Sequence, residues 1–446
     1  MLKLKYKRIL SLIMATVLCI SLAGCGDKNA DKNQVTKKDE SLPGEMPDDE
    51  KTASGDEKVT IRYSLWGNDD REEYTVRSIS NFMKLYPDIT VKIECEAWKS
   101  HQDNMDELMA EGDEADVIQM NYNWLGRYSP DGQGFYDLKE LSDIIDLSEF
   151  SDECLSYGMS GGKLNGIPVS LNTATFMYNS SLYKSYGLEV PETWSDIFRA
   201  ASVMKEDGVY PLIMDKYQAI SLMSGYYEQM TGRDLYLGNE VLNPDKKALM
   251  EAVEFYKSLY EAGAICLPAD FSESMLEDGR AAGIVCWTSA VGTNEKRMEK
   301  AGGKAALGNY LAADKALESG KSSKSGRYVK PSMLLGISVN TSHPKEAALL
   351  VEYLLNSSEN AILQGSDKGI PASKSAEMAL MEAGELNTLA YRAKIMLDYE
   401  IDVMSKKSEL MEQEIFADVV VYSVDAYIKG EMTAEEAMEF MLRQVM

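Results

Sequence analysis

The sequence has few of the residues that build metal and redox sites. Its 446 residues include two histidines, His101 and His343, and six cysteines. So few histidines argue against a zinc site that uses them as ligands. Two cysteines, Cys19 and Cys25, fall near the N-terminus, and the other four are far apart without metal-binding spacing: Cys95, Cys154, Cys266 and Cys286. We expect buried free thiols at these four positions, with a disulfide as the alternative, and predict no metal and no cofactor.

Basic charge is scarce as well. The chain has 46 lysines and arginines against 72 aspartates and glutamates, which gives a formal net charge of −26. This balance argues against nucleic acid or an anionic lipid surface as the partner. An acidic ligand would need a local basic patch.

The common catalytic signatures are missing too. The sequence contains no HExxH helix and no phosphate loop. A glycan-cleaving enzyme would need two carboxylates that face one bond. Asp69 and Asp70 are adjacent in one loop, which suits that task poorly. We therefore predict that the protein is not an enzyme.

One long apolar run is present, at the N-terminus. Basic residues at positions 3–8 precede the segment ILSLIMATVLCISLAG, which predicts a secretory signal peptide over residues 1–24, with a retained transmembrane anchor as the alternative. Leu22-Ala23-Gly24-Cys25 looks like a bacterial lipobox. It predicts that Cys25 carries fatty acyl chains such as palmitate and anchors the protein on the extracytoplasmic face of the cell membrane.

The residues after the lipobox have the composition of a tether. About half of residues 26–58 are charged, and none is aromatic. Such a segment buries too little apolar surface to fold, so we predict a disordered tether over 25–58. The remaining chain, 59–446, is long enough for two domains.

The mature chain alternates between strand and helix patterns. Strand patterns at Val59–Leu65, Ile89–Cys95 and Ala115–Met120 are separated by helical patterns, which predicts a parallel sheet with crossover helices. Residues from about 180 are mostly helical, strand-like segments return at 281–340, and helices follow. The fold class is α/β, with one body interrupted by another.

Several segments resemble one known family in order and spacing. They are the stretch LNGIPVSLNTATFMYNSSLYKSYGLEVPETWSDI, Phe82 with Tyr86-Pro87, the strand at Asp116-Val117-Ile118 with Trp124, the stretch KPSMLLGISVNTSHPKEAALLVEYLLNSSENA, and Lys368-Gly369-Ile370-Pro371. Together they resemble family 1 of the bacterial extracellular solute-binding proteins, the carbohydrate-binding type related to maltose-binding protein. The resemblance implies the type 2 periplasmic-binding-protein fold, with two lobes, a hinge of crossing strands and a ligand cleft.

The predicted lobes follow from this resemblance. We assign 59–168 with 281–338 to the N-terminal lobe and 169–280 with 339–446 to the C-terminal lobe. The chain is expected to cross between them near 166–173, 279–285 and 336–341. Asn165-Gly166 and Pro168 mark the first crossing, where a polar centre replaces the apolar residues that a buried strand requires.

The predicted ligand site combines aromatic and polar side chains. Ligands of parallel sheets bind beyond the carboxyl ends of the strands, and flat rings flanked by amides and carboxylates suit a sugar. The ligand-binding residues that we predict are Trp66, Asn68, Asp69, Tyr122, Trp124, Asn172, Thr173, Tyr227, Gln229 and Trp287. Trp194 is assigned to helix packing, and Trp98 remains undecided.

The resemblance implies the substrate-binding component of an ABC importer. It would capture a carbohydrate, which the resemblance implies to be an oligosaccharide, and deliver it to permease subunits by closing the cleft. The partners would then be a sugar, the permease and a lipid anchor, with the protein itself a monomer. A membrane-anchored sugar sensor, or a glycan-binding adhesion lipoprotein, is the alternative that the sequence leaves open.

Overall fold

The computed structural model describes residues 58–237, 240–242, 244–313 and 324–445. The predicted signal peptide, Cys25 and the tether through residue 57 lie outside the described residues. None of the helices in the described ranges is both long and apolar enough to span a membrane.

The strands are numbered in chain order. They are β1 (Val59–Trp66), β2 (Ile89–Glu96), β3 (Val117–Met120), β4 (Met159–Ser160), β5 (Lys163–Leu164), β6 (Ile167–Pro168), β7 (Leu171–Asn179), β8 (Tyr236–Leu237), β9 (Glu240–Val241), β10 (Gly283–Trp287), β11 (Ala305–Gly308), β12 (Tyr328–Pro331), β13 (Leu334–Ile337) and β14 (Ser405–Lys406).

The α-helices are numbered in the same way. They are α1 (Asp69–Leu85), α2 (Trp98–Glu111), α3 (Trp124–Tyr128), α4 (Asp152–Ser156), α5 (Ser180–Ser185), α6 (Trp194–Met204), α7 (Lys216–Thr231), α8 (Lys246–Glu261), α9 (Ser274–Glu277), α10 (Val291–Lys300), α11 (Pro344–Asn356), α12 (Ser358–Gln364), α13 (Lys374–Glu382), α14 (Leu389–Glu400), α15 (Glu414–Ile428) and α16 (Ala434–Val445).

The first sheet has the strand order β2-β1-β3-β13-β6. β1 pairs in parallel with β2 and β3, while β13 runs antiparallel to β3 and β6. The alternation in β1 buries Ile61, Tyr63 and Leu65 completely, and these side chains join Phe82 of α1 in one core. The parallel pairing that the sequence pattern predicted for β1, β2 and β3 is therefore confirmed.

The second sheet has the order β10-β7-β12-β14, with β11 also paired to β7. β7 is its longest strand and is buried almost throughout because helices cover both faces. Phe176 and Tyr178 pack with Trp194 of α6 on one face, while Met177 packs with Ile284 on the other. Trp194 is a core residue, as predicted.

Strand pairing corrects two of the predicted lobe boundaries. The segment 281–338 was assigned to the N-terminal lobe, but β10, β11 and β12 pair with β7 in the second sheet, and β13 is the strand that returns to the first. Residues 339–446 were assigned to the other lobe, but α11 shares its core with the first sheet. An apolar pattern predicts a strand without specifying its partner, which explains the error.

The chain crosses between the two sheets at three adjacent segments. The first crossing is at Val169-Ser170, as predicted, and the second is at Ser332-Met333, slightly before the predicted 336–341. The crossing expected near 279–285 is wrong because β10 stays within the second sheet. A third crossing segment lies instead at 368–372, where Ala372 N–H donates to Val169 O at 2.9 Å.

Candidate functional site

Three tryptophans form a cluster at the carboxyl ends of β1, β2 and β3, which we call the tryptophan shelf: Trp66, Trp98 and Trp124. The rings of Trp66 and Trp98 meet edge to face with centroids 4.8 Å apart, and Trp98 stacks on Trp124 at 6.0 Å. Trp98 is 39% exposed and Trp66 is half-buried. The shelf therefore presents two indoles on the first lobe, with their planes inclined at 71° to each other.

Trp124 does not itself form the exposed surface of the shelf. It is 1% exposed and also contacts His101 and Tyr128. We predicted it as a stacking surface, but its burial at the start of α3 makes it the support for Trp98. Trp98, which sequence reasoning left undecided, takes that position because α2 begins directly after β2.

Asn68 and Asp69 lie beside the shelf at the start of α1. Asn68 is the N-cap, and its side-chain oxygen accepts a hydrogen bond from Arg71 N–H at 3.0 Å. Asp69 is exposed in the first turn, where a carboxylate is favourable. Tyr122 follows β3 and is 2% exposed, and its burial raises the pKa of the phenol. These three residues share the predicted sheet edge.

On the second lobe, Asn172 holds the turn that follows β10. Its side-chain oxygen accepts bonds from Thr288 Oγ1 and Ser289 N–H, both at 2.8 Å, and its amide donates to Ser289 Oγ at 2.9 Å. The Thr173 hydroxyl is buried without a partner among the described residues. Asn172 therefore positions the turn after Trp287, and its amide has little left for a ligand.

A buried ionic group, which we call the lysine–glutamate cluster, lies next to Trp287. Lys330 Nζ and Lys407 Nζ lie 2.6 and 2.7 Å from the two carboxylate oxygens of Glu412. Both ammonium groups also lie over the Trp287 ring, at 4.5 and 4.3 Å from its centroid. Strand pairing explains the arrangement, since Lys330 is opposite Asn172 and β14 runs alongside β12.

The Glu412 carboxyl is ionised at neutral pH. Burial alone would raise the pKa of the Glu412 carboxyl, but Lys330 and Lys407 outweigh that effect and lower it to about 2. Burial lowers the pKa of Lys407, which the nearby carboxylate opposes. Removing one partner of such a buried pair leaves an uncompensated charge, so the three side chains fix one another.

Two contacts connect the lobes beside these walls. Lys406 of β14 extends to the first lobe, where its Nζ lies 5.6 Å from the Tyr122 ring and 5.2 Å from the Tyr157 ring. Asn123 Nδ2 donates to Glu412 O at 3.5 Å. The residues around β3 and the segment 405–412 are therefore in contact, and we take them as the two walls of the predicted cleft.

Two predicted site residues lie elsewhere. Tyr227 is 1% exposed in the core of the second lobe, and its hydroxyl accepts a bond from Asp245 N–H. Gln229 donates to Ser325 O and accepts from Ala313 N–H. Their places on α7 make both side chains structural, so the prediction that they face a ligand is not supported by their contacts.

Among the described residues, no three histidine, cysteine, aspartate or glutamate side chains lie close enough together to hold a metal ion. All four described cysteines are free thiols; Cys154, Cys266 and Cys286 are buried, as expected, whereas Cys95 is half-buried. A small apolar cavity of about 40 Å³ lies within the second lobe between α7, α8, α15 and α16, away from the cleft walls.

Comparison with known proteins identifies the family. A family model described as bacterial extracellular solute-binding protein matches residues 78–386. The chain belongs to this family.

Individual relatives support the same fold and kind of protein. A galactooligosaccharide-binding protein of Bacillus subtilis (strain 168) is 24% identical over 383 residues, which is 81% of this chain and 80% of that protein. A periplasmic solute-binding protein of Pectobacterium atrosepticum SCRI1043 has 28% identity, a TM-score of 0.80 and coverage of 87% of this chain and 98% of its own. An oligogalacturonide-binding protein of Yersinia enterocolitica, solved with digalacturonic acid, has 26% identity, a TM-score of 0.78 and coverage of 86% and 97%. The two-lobed α/β fold is thereby confirmed.

Sequence reasoning missed the ionic part of the site. Lys330, Lys407 and Glu412 were not singled out, and neither was Lys406. Lys330 carried a usable signal, because a charged residue stands inside the apolar run Tyr328 to Ile337. Glu412 and Lys407 lie in a polar segment that offers no such contrast.

Proposed function

We propose that this protein is the substrate-binding component of an ABC importer and that it captures an oligosaccharide in the cleft between its lobes. The observation that carries the proposal is the pair of facing walls. The tryptophan shelf supplies exposed indole surface on the first wall, and Trp287 lies with Lys330 and Lys407 on the second. The two walls contact each other through Lys406 with Tyr122 and through Asn123 with Glu412.

This arrangement fits the surface of a sugar chain. A pyranose ring has apolar C–H faces that stack on indoles, and its hydroxyls need donors and acceptors at the rim. Trp66 and Trp98 would contact the faces. Asn121 and Asn123, which are half-buried at the end of β3, would bind hydroxyls from the first wall.

The names of relatives support a carbohydrate ligand. One is a galactooligosaccharide-binding protein, a second is the maltodextrin-binding protein of Bacillus subtilis (strain 168), and a solved structure of similar fold binds digalacturonic acid. The family description places such proteins outside the cytoplasm. The ligand would be bound and released unchanged, since the proposal gives no residue a catalytic role.

A thermal-shift panel of neutral oligosaccharides tests the proposal. A ligand at a hundred times its Kd adds about 2.7 kcal/mol to the free energy of unfolding, which is readily measured. Trp98→Ala should weaken binding about tenfold, as expected for losing one stacking contact. Tyr422→Ala is the matched control because it also removes an exposed aromatic ring. This ring lies on α15 and packs against Phe440 of α16. No shift with any sugar, or equal binding by Trp98→Ala, would contradict the proposal.

We also propose that Cys25 is the lipid anchor, on the basis of the lipobox and the apolar run before it. Cys25→Ser should yield unprocessed or freely released protein in a membrane fractionation. A variant that is processed and anchored like the wild type would contradict this.

A further inference from the structure

Lys406 lies on β14, the edge strand of the second sheet. Both of its neighbours in sequence tie this short strand to the second lobe. Ser405 Oγ donates to Asp234 Oδ1 at 3.1 Å, and the Lys407 side chain is fully buried 2.7 Å from Glu412. Successive side chains of a strand point to opposite faces, so Lys406 points away from that interior. The strand is therefore anchored, and the Lys406 side chain is available for contacts with the first lobe.

The ammonium group of Lys406 meets a small cage on the first lobe. Its Nζ lies 5.2 Å from the centroid of the Tyr157 ring and 5.6 Å from that of the Tyr122 ring, and it donates to Ser156 O at 3.5 Å. The two rings are only 3% and 2% exposed. A cation is attracted to aromatic faces, and the attraction is stronger where water is excluded. We call these four residues the Lys406 latch.

The latch lies outside the hinge. It joins the residues that follow β3 and α4 to β14, and none of its members belongs to a crossing segment. A second contact between the same two regions, from Asn123 Nδ2 to Glu412 O at 3.5 Å, lies beside it. A bond between two lobes that is separate from their hinge restricts rotation, because moving the lobes apart breaks that bond.

The latch does not use the indole surface of the shelf. Lys406 lies over the two tyrosines, whereas the rings of Trp66 and Trp98 contact each other and Trp124. A sugar can therefore stack on the shelf while the latch stays in place.

We infer that Lys406 is a positioning residue, which holds the two walls together in the sugar-free protein and thereby raises the affinity for a sugar bound between them. A ligand that contacts both walls binds the closed form, and its apparent affinity falls with the fraction of protein in that form. A latch that favours the closed form raises this fraction before the sugar arrives. The effect on affinity rests on the proposed function, but the effect on the sugar-free protein does not.

Lys406→Met tests the latch without any sugar, because it keeps most of the side chain and removes its charge. Solution scattering should show a larger radius of gyration for this variant than for the wild type. Lys406→Arg should restore the wild-type value, because a guanidinium group also binds aromatic faces. Lys345→Met makes the same change at an exposed position in the first turn of α11 and should leave the radius unchanged.

Calorimetric titration with galactotriose and maltotriose tests the effect on affinity. For each of these sugars that binds the wild type, Lys406→Met should raise Kd about fivefold, as expected for losing cation–π contacts that favour the closed form. Lys406→Arg should bind nearly as tightly as the wild type, and so should Lys345→Met.

A double-mutant cycle separates the latch from direct contact between Lys406 and the sugar. Tyr157→Leu removes one face of the cage from the opposite lobe. If the two residues act together, Lys406→Met should change Kd and the radius of gyration less in the Tyr157→Leu background than in the wild type. If Lys406 contacted the sugar instead, the two losses in affinity would add. The Lys406 variants decide the matter alone if Tyr157→Leu does not fold.

Three results would overturn the inference while leaving carbohydrate binding intact. One is an equal radius of gyration for sugar-free wild type and Lys406→Met. The second is tighter sugar binding by Lys406→Met, which would mean that Lys406 occupies the place of the ligand. The third is full additivity in the cycle. Failure to bind any sugar of the panel would instead contradict the proposed function, and scattering of the sugar-free variants would still test the latch.

Discussion

Lys368 is a buried lysine whose lowered pKa links the stability of this fold to pH. Its side chain is 4% exposed and lines a small polar cavity of about 10 Å³ with Tyr63 and Tyr74. Burial and the neighbouring Arg71 lower the pKa of its ammonium group to about 7, against the opposing effect of Asp367. The folded chain therefore favours the neutral amine over much of the alkaline range.

This shift predicts a pH-dependent stability. The unfolded chain binds the proton below pH 10.5 and the folded chain below about pH 7, so stability falls as the pH drops through that window. Relative to Lys368→Met, the wild type should gain up to about 1.4 kcal/mol per pH unit between pH 7.5 and 9.5. Urea unfolding at several pH values measures the difference. The exposed Lys345→Met is the control, and parallel curves for wild type and Lys368→Met would contradict the prediction.

At the scale of elements, the three crossing segments are held by one compact group. Ser170 Oγ lies 2.7 Å from both Ser332 Oγ and Lys368 O, and the Ser332 hydroxyl donates to the same carbonyl at 3.0 Å. Each crossing segment contributes one residue to this hydrogen-bonded group. Gly369 follows with φ +91°, and a Cβ placed there would lie 2.3 Å from Ser170 Oγ. The hinge therefore depends on a glycine.

Gly369→Ala should cost about 1–3 kcal/mol of stability for the backbone conformation, with the clash against Ser170 added. Gly187→Ala is the matched control, because Gly187 has φ +70° but open space at its Cβ position. The loss of stability in Gly187→Ala should therefore be smaller than in Gly369→Ala. Urea unfolding of both variants makes the comparison. Equal losses would mean that Ser170 yields easily and that the hinge is not tightly packed.

The positions of the strands along the chain were easier to predict than their pairing in the sheets. β1, β2 and β3 were found because alternation along the chain reflects which side chains are buried, and that is local information. The second sheet was partly misassigned because pairing of β10 with β7 depends on contacts across more than one hundred positions, as in Cys286 with Thr175. No short pattern records such a pairing.

The same limit applied to the site residues: local positions could be predicted and long-range contacts could not. Trp66 and Trp287 were selected because they end strands, which the structure confirms, and their contact with a ligand stays a prediction. Lys407 and Glu412 escaped notice because their partner Lys330 is far away in the chain. Tyr227 and Gln229 were chosen from their neighbours in sequence, but the helix turns both toward the interior of the second lobe.

At the scale of the whole molecule, we expect the two walls to move relative to each other about the crossing segments. Rotation of two lobes about such a hinge closes a cleft. A ligand drives closure only through contacts that are better in the closed form, so it must bind both walls. The tryptophan shelf belongs to one wall and Trp287 to the other, which meets that requirement.

We therefore predict that a saturating neutral oligosaccharide lowers the radius of gyration in solution scattering. Trp98→Ala should need more sugar to reach the same compaction, because it loses first-wall contact area without altering the hinge. Tyr422→Ala should follow the wild-type curve. Lys406 already connects the walls through Tyr122 and Tyr157, so Lys406→Met should raise the radius of gyration of the sugar-free protein. A radius that does not change with sugar, in a chain whose calorimetry shows binding, would contradict closure while leaving the site in place.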